Sequence, residues 1–394
     1  MSTEVLICEG ARTAFGEFGQ SLKDISAIDL GVVAAKGAIR KSGVKPEDIG
    51  HVVMGNATQT SADALYGARH VGLKAGLPIT TPALTVNRIC GSGLQAIVNA
   101  AQFIQLGEAQ VVLAGGMENM SQTPHVIRGA RWGLGLGQAP MEDALWSALT
   151  DPFCGLNMAL TAEKLAEQYS LTRQDVDEFA LRSFTAARHA QTQCWLSEEI
   201  EPIEVPAKKG EVRTIDKDEH IRDTSMEQLG KLRPVFKKDG VVTAGNASGI
   251  NDGAACVVLA SAKAAEQKGL KVLGRLVSYG IAGVPPEIMG IGPVDAIKQA
   301  LAKAKLSIAD MDLVEINEAF SPQYIACEKA LGFPREKGNV NGGAIAIGHP
   351  LGASGARLTL TLLYEMRRRK SRYGVASLCI GGGQGIAAIY ERIG

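Results

Sequence analysis

Residues 34–53 read AAKGAIRKSGVKPEDIGHVV and residues 296–316 read AIKQALAKAKLSIADMDLVEI. Each copy runs from a helical pattern through a short polar turn with an aspartate into an apolar strand. The turns are Lys45-Pro46-Glu47-Asp48-Ile49 and Ser307-Ile308-Ala309-Asp310-Met311, and the strands lead to Asn56 and Asn317. The copies stand about 260 residues apart, so the repeated unit is a whole domain rather than a solenoid module.

The parallel extends outward. Residues 84–88 read as a strand, followed by Cys90-Gly91-Ser92-Gly93 and a helix with Leu94, Ile97, Val98 and Ala101 on one stripe. Gly107 stops that helix and residues 111–116 read as a buried strand. In the second copy, His349-Pro350-Leu351-Gly352-Ala353-Ser354-Gly355 precedes a helix carrying Leu358, Leu362 and Met366, with Arg367 to Lys370 suited to its negative end. Residues 374–380 are the matching strand, ending in Gly381-Gly382-Gly383. The fold class is therefore α/β: two duplicated halves, sheets side by side, with one site where they meet. The expected division is 1–118 plus 249–270 for the N-terminal half, 119–248 for an insertion, and 271–394 for the C-terminal half. The insertion is expected to hold helices over 159–169 and 174–191. It also carries the glycine-broken Arg131-Trp132-Gly133-Leu134-Gly135-Leu136-Gly137.

A length of 394 residues exceeds what one core usually holds. The 41 basic and 41 acidic residues balance, so no overall field draws nucleic acid or an anionic membrane. An anionic ligand must be held by local groups. No apolar run reaches bilayer length. Met1 to Gly10 lacks a secretory pattern and Glu391-Arg392-Ile393-Gly394 is no sorting address. Seven cysteines, odd in number, widely spaced and without a C-x-x-C, argue against a disulfide framework or a zinc site and for a reducing compartment. No metal site is expected.

Cys90 stands at a strand-to-helix junction, where helix N–H groups favour a thiolate and flanking glycines leave the sulfur open. The plainer alternative is a buried structural thiol. His349, before a proline, is held off helical geometry at the position in its half that matches Cys90; otherwise it caps a turn. Structural or solvent positions are expected for His51, His70, His125, His189 and His220. Cys379 ends a strand before polyglycine able to aim N–H groups at an oxyanion, whereas core burial is expected of Cys8, Cys194, Cys256 and Cys327. Asn317 ends a strand where ligands gather in α/β sheets, or is simply a turn residue. The small-residue loop 245–253 suits a phosphopantetheine arm or a phosphate. No dinucleotide fingerprint or P-loop occurs.

Cys90-Gly91-Ser92-Gly93, Asn317-Glu318-Ala319-Phe320, Gly348-His349-Pro350 and Cys379-Ile380-Gly381-Gly382-Gly383, in that order, resemble the four catalytic blocks of the thiolase family. The similarity begins at Ile7-Cys8-Glu9-Gly10-Ala11-Arg12-Thr13 and spans essentially the whole chain. The resemblance implies a five-layered α-β-α-β-α sandwich of two related halves with an inserted loop domain for coenzyme A binding and tetramer contact. It implies Cys90 as the acylated nucleophile, His349 as its activator and Cys379 as the acid/base. Asn317 would hold a water that forms one oxyanion hole with His349, and the N–H groups of Cys90 and Gly381 would form the other. Coenzyme A would be substrate and product, with no permanently bound cofactor.

By the same resemblance, Ser248 and Ala244 lie near the pantetheine arm and Arg222 near adenine and phosphates. Leu149, Met158, Phe236, Ala319 and Phe320 line the channel. Asn157 stands where acetoacetyl-CoA-specialised thiolases carry histidine before the methionine, and the stretch from 312 onward resembles mitochondrial-type degradative 3-ketoacyl-CoA thiolases. The implied substrates are acetyl-CoA, acetoacetyl-CoA and other short- to medium-chain 3-oxoacyl-CoA. The implied assembly is a homotetramer, a dimer of dimers, in the cytoplasm or alternatively the mitochondrial matrix. A fatty-acid condensing enzyme would carry a second histidine in place of Cys379. A non-catalytic acyl-CoA-binding subunit would not need all four blocks intact.

Overall fold

The structure is a computed structural model that describes residues 3–206 and 210–393; Met1, Ser2 and Gly394 of the two termini read above lie outside them. Its organising element is a palindrome of strands. From one edge, the order is Ala83–Val86, His51–Gly55, Val111–Asn119, Asn251–Ser261 and Val5–Arg12. It continues through Val272–Gly283, Gln384–Arg392, Tyr373–Ile380 and Leu313–Ile316. The pairing reads the same from the seam outward: antiparallel, antiparallel, then parallel on each side. The seam is the pairing of Leu6 with Arg275 and Ile7 with Gly274. Ala83–Val86 adds a parallel strand to one side, echoed on the other by the bridge between Val314 and Gly338.

Neighbouring residues on these strands divide between two cores. Leu6, Cys8, Val52, Met54, Val111 and Leu113 pack outward, whereas Val5, Ile7, Val53, Val112 and Ala114 pack inward. In the second half Val375 and Ile389 face outward, and Ala376, Leu378, Ile386 and Ala388 face inward. Period-two geometry with both faces covered is why the strands read as continuous apolar runs.

The inner core holds the helices Ser92–Leu106 and Leu351–Arg369, which touch strands of both halves. The helices Ala27–Ser42 and Gly292–Ala304 cover the outer faces. This gives the expected five layers. Both repeat units form as read: Ala27–Ser42 is capped by Ser26 and stopped by left-handed Gly43, and is followed by the turn Pro46–Asp48 and the strand. Gly292–Ala304 ends at left-handed Lys305, then Ile308–Asp310, then Leu313–Ile316.

The helices Met158–Gln168 and Arg173–Thr192 pack on the C-terminal half, with Val176, Phe179, Phe184 and Ala187 joining Tyr324 and Ile345 in the outer core. A buried guanidinium locks this region to the first strand: Arg12 Nη1 and Nη2 grip Asp218 at 2.6 and 2.8 Å, and Nε reaches Glu199 at 3.1 Å.

Candidate active site

Where the two inner helices begin, their backbones touch. A Cβ on Gly93 would lie 2.7 Å from Gly352 O, one on Gly355 2.2 Å from Leu94 N, and one on Gly116 1.8 Å from Gly352 O. Glycine at these points lets the two helix mouths meet, which brings the segments carrying Cys90 and His349 together.

Cys90 sits in the single turn Ile89–Gly91 ahead of Ser92–Leu106. The turn is closed by Ser92, whose Oγ donates to Ile89 O at 2.7 Å and accepts from Arg88 N at 2.8 Å. Ile89 has φ +45°, an uncommon and strained value for a β-branched residue. It is held there by its N–H donating to Asn87 Oδ1 at 2.8 Å. Half-buried Cys90 packs with Ile89, Leu149 and Leu351, the last being the first residue of the helix that follows His349-Pro350.

The sequence led us to expect a thiolate favoured by the helix mouth; enclosure of the sulfur works against it. Burial pushes the Cys90 thiol up to about 12, and the negative charge of Glu118 adds to the rise. The nearby backbone N–H groups of Gly381 and of Cys90 itself favour the anion and pull the other way without prevailing. Desolvation of the enclosed anion outweighs the helix, whose first turn lies beyond the 3₁₀ turn. Cys379, buried at the end of Tyr373–Ile380, is also held well above the usual thiol range. Burial is the main cause, followed by the nearby charge of Cys90. The two thiols therefore feel each other's charge.

His349 is buried and neutral. Burial, reinforced by the Arg357 guanidinium, pushes it down to about 3. Its Nδ1 lies 2.6 Å from Ser354 Oγ, and that hydroxyl donates to Pro350 O at 2.8 Å. The hydroxyl proton being spent on the carbonyl, Nδ1 carries the ring proton and Nε2 holds the free lone pair. Asn317 Nδ2 approaches Nε2 at 3.3 Å, and its Oδ1 has no partner among the described residues. The His349 N–H donates to Asn251 Oδ1 at 3.1 Å. Asn251 comes so close that a Cβ on Gly348, at φ +111°, would sit 2.5 Å from its Cγ.

Around the Cys379 sulfur, Met158, Met289, Ala319 and Phe320 form one apolar cluster. Met158 Sδ lies 3.3 Å from where a Gly381 Cβ would be. Two thiols, a neutral imidazole and nearby backbone N–H groups can together run acyl transfer through a cysteine without a metal.

The first part of the chain, residues 5–263, matches the family model described as thiolase, N-terminal domain, and residues 270–392 match thiolase, C-terminal domain. The chain belongs to the thiolase family. It is 53% identical over 389 residues, 98% of both chains, to human mitochondrial 3-ketoacyl-CoA thiolase. Over 395 residues, all of both chains, it is 49% identical to the beta-ketothiolase BktB of Cupriavidus necator. It superposes on the crystal structure of the human mitochondrial enzyme with a TM-score of 0.98 at 52% identity, covering 99% of each chain.

In this thiolase the loop 245–249 lies against the Asn317 block: Ser248 N donates to Ala319 O at 2.9 Å, Ser321 N to Asn246 O at 2.9 Å, and Ala247 bridges Phe320. Ala244 is exposed, Ser248 half-buried, and Phe236 stacks on Trp146 with ring centres 6.3 Å apart. Arg222 lies farther out, exposed, over the Phe184 ring and 3.9 Å from Glu17. Asn157 caps the helix Met158–Gln168 by accepting from Ala159 N at 3.0 Å.

Cys8, Cys256 and Cys327 are buried as expected, but Cys194 is exposed: it follows the end of Arg173–Thr192 in a left-handed turn. His70 pairs with Asp63, His51 packs on Phe103 and His220 bonds Glu17 at 2.7 Å. Sequence reasoning did not assign Ser354 or Asn251. The only signal was their presence inside the two glycine-rich stretches already singled out.

Proposed function

We propose that this thiolase is an acetyl-CoA C-acetyltransferase / 3-ketoacyl-CoA thiolase acting on short- to medium-chain 3-oxoacyl-CoA through an acyl-cysteine. As Cys90 Sγ attacks the 3-oxo carbon, His349 Nε2 takes its proton. The C2–C3 bond breaks, and Cys379 gives its proton to C2 of the departing acetyl-CoA enolate. The Cys379 thiolate then takes the proton of an incoming CoA thiol, which attacks acyl-Cys90; the bond from the acyl carbon to Cys90 Sγ breaks, His349 Nε2 returns its proton to that sulfur, and the shortened acyl-CoA leaves. Condensation is the reverse.

The N–H groups of Cys90 and Gly381 hold the oxyanion on the acyl group. His349 and a water held by Asn317 hold the oxygen of the enolate, a use that suits the unpartnered Oδ1. The suppressed ionisation of both thiols keeps charge out of the site until substrate arrives.

The observation that carries this reading is the meeting of the two helix mouths, Gly93 against Gly352 and Gly355 against Leu94, which sets the Cys90 turn against the segment of His349, whose Nδ1 lies 2.6 Å from Ser354 Oγ. The test is acetoacetyl-CoA with free CoA: loss of the enolate absorbance, and acetyl mass on the peptide containing Cys90, absent in Cys90→Ser. A folded protein that binds CoA but gives neither would instead be a non-catalytic acyl-CoA-binding subunit.

Ser248, Ala244 and Arg222 would contact coenzyme A, with Leu149, Met158, Phe236, Ala319 and Phe320 along the channel. The insertion 119–248 would thus carry much of the ligand contact. Its arm exposes Trp132, Leu134, Leu136 and Met141, which supports a tetramer built as a dimer of dimers. Sedimentation of the full chain and of Trp132→Ser would check it. Reactive free thiols suit the cytoplasm, or the mitochondrial matrix by analogy with the name of the human relative.

A further inference from the structure

Glu118 is a fully buried carboxylate near the end of the strand Val111–Asn119, on its inward face. It accepts five hydrogen bonds. Oε1 takes Asn56 Nδ2 at 3.0 Å, Thr58 N at 2.9 Å and Thr58 Oγ1 at 2.5 Å; Oε2 takes Ala57 N at 3.0 Å and Gly352 N at 2.8 Å.

Two arms lead from it into the site. One ends on Gly352, the second residue of Leu351–Arg369. That helix starts behind Pro350, which has no side chain able to cap it, so a carboxylate from a strand 234 residues away satisfies its free N–H. His349 lies three residues before that contact. The other arm runs through Ala57, whose carbonyl accepts from Asn87 Nδ2 at 3.0 Å, and Asn87 Oδ1 in turn holds Ile89 N beside Cys90.

We propose that Glu118 is a positioning residue that clamps the Cys90 turn and the His349 helix at a fixed separation, setting the geometry for proton transfer between them. It touches no reacting atom. The proposal rests on the acyl-cysteine reading above. The alternative for Glu118 is a purely structural buried carboxylate, and the two differ in what they move.

The test compares Glu118→Gln, Asn87→Ala and the parent enzyme. Gln keeps the size but loses the charge and turns an NH₂ toward two N–H donors. For Glu118→Gln we expect kcat for thiolysis of acetoacetyl-CoA to fall about a hundredfold, the scale of a small misplacement of reacting groups. KM should hold within about threefold. Iodoacetamide alkylation of Cys90 should show its inflection at lower pH, because a negative charge acting on the sulfur is gone; Cys379 is the other ionisable group whose charge couples to it. Asn87→Ala, which cuts one arm and keeps the charge, should lower kcat at unchanged KM and leave the alkylation inflection where it was. If Glu118→Gln fails to fold, Asn87→Ala carries the test.

Parent-like kcat in whichever variant folds overturns the clamp, as does an unmoved inflection in folded Glu118→Gln. Failure of the parent enzyme to acylate Cys90 would instead sink the reading on which the clamp rests.

Discussion

His349 and Ser354 are joined by a 2.6 Å contact that decides which imidazole nitrogen faces the substrate. Because Ser354 Oγ gives its own proton to Pro350 O, it can only accept from Nδ1. Ser354→Ala frees the ring to adopt the other tautomer and to rotate. We expect kcat to drop tenfold to a hundredfold, roughly the lower end of what general-base catalysis supplies. Loss of the hydrogen bond should cost about 1 kcal/mol of stability. Steady-state thiolysis and thermal unfolding on the same samples check both.

Cys379→Ala separates the two half-reactions. Acylation of Cys90 by acetyl-CoA should persist, since the Cys90 turn and the His349–Ser354 contact are untouched. Deuterium exchange at the acetyl methyl, and with it condensation, should slow by about 10²–10⁴-fold. Exchange at the parent rate would remove Cys379 from its role.

The pH dependence has a definite sign. An unfolded imidazole takes a proton below about 6.5, whereas folded His349 refuses one until about 3. Between those values the unfolded state binds the extra proton, so stability falls as pH falls through the window. His349→Asn should unfold less steeply with acid over that range. In the parent enzyme the acid limb of kcat/KM should lie below about pH 5, because the base stays neutral above it.

Gly116→Ala tests the close approach at the helix mouths. The added methyl would meet the Gly352 carbonyl at 1.8 Å, backbone against backbone, with no flexible side chain to yield. A loss of about 3 kcal/mol is expected, with activity falling further than stability because Gly352 anchors the His349 segment. Denaturant unfolding alongside kinetics would show it.

The helix–turn–strand unit was readable twice over because hydrophobic spacing and turn chemistry are local. The strand Val111–Asn119 and the helix Leu351–Arg369 fell close to their expected places, although the helix takes in Leu351 to Gly355, read as preceding it. The ionisation of Cys90 was not readable. It depends on how much water the opposite half removes, and Gly381 and Glu118 reach the sulfur from distant strands. The roles of Ser354 and Asn251 were hidden for the same reason: a serine near a histidine announces nothing until the proton on each atom is traced. Cys194 misled because a thiol's usual burial says little about a helix end in a left-handed turn.

The seam between the halves bears on how the chain leaves the ribosome. Val5–Arg12 emerges before both its neighbours, Asn251–Ser261 and Val272–Gly283, and the long stretch between them must be made first. Until they arrive, an apolar strand waits with both edges bare, a species prone to sticking to other chains. The slow step of maturation should be this late insertion, and a nascent-chain chaperone bound to Val5–Arg12 would be released only once the second half begins to appear.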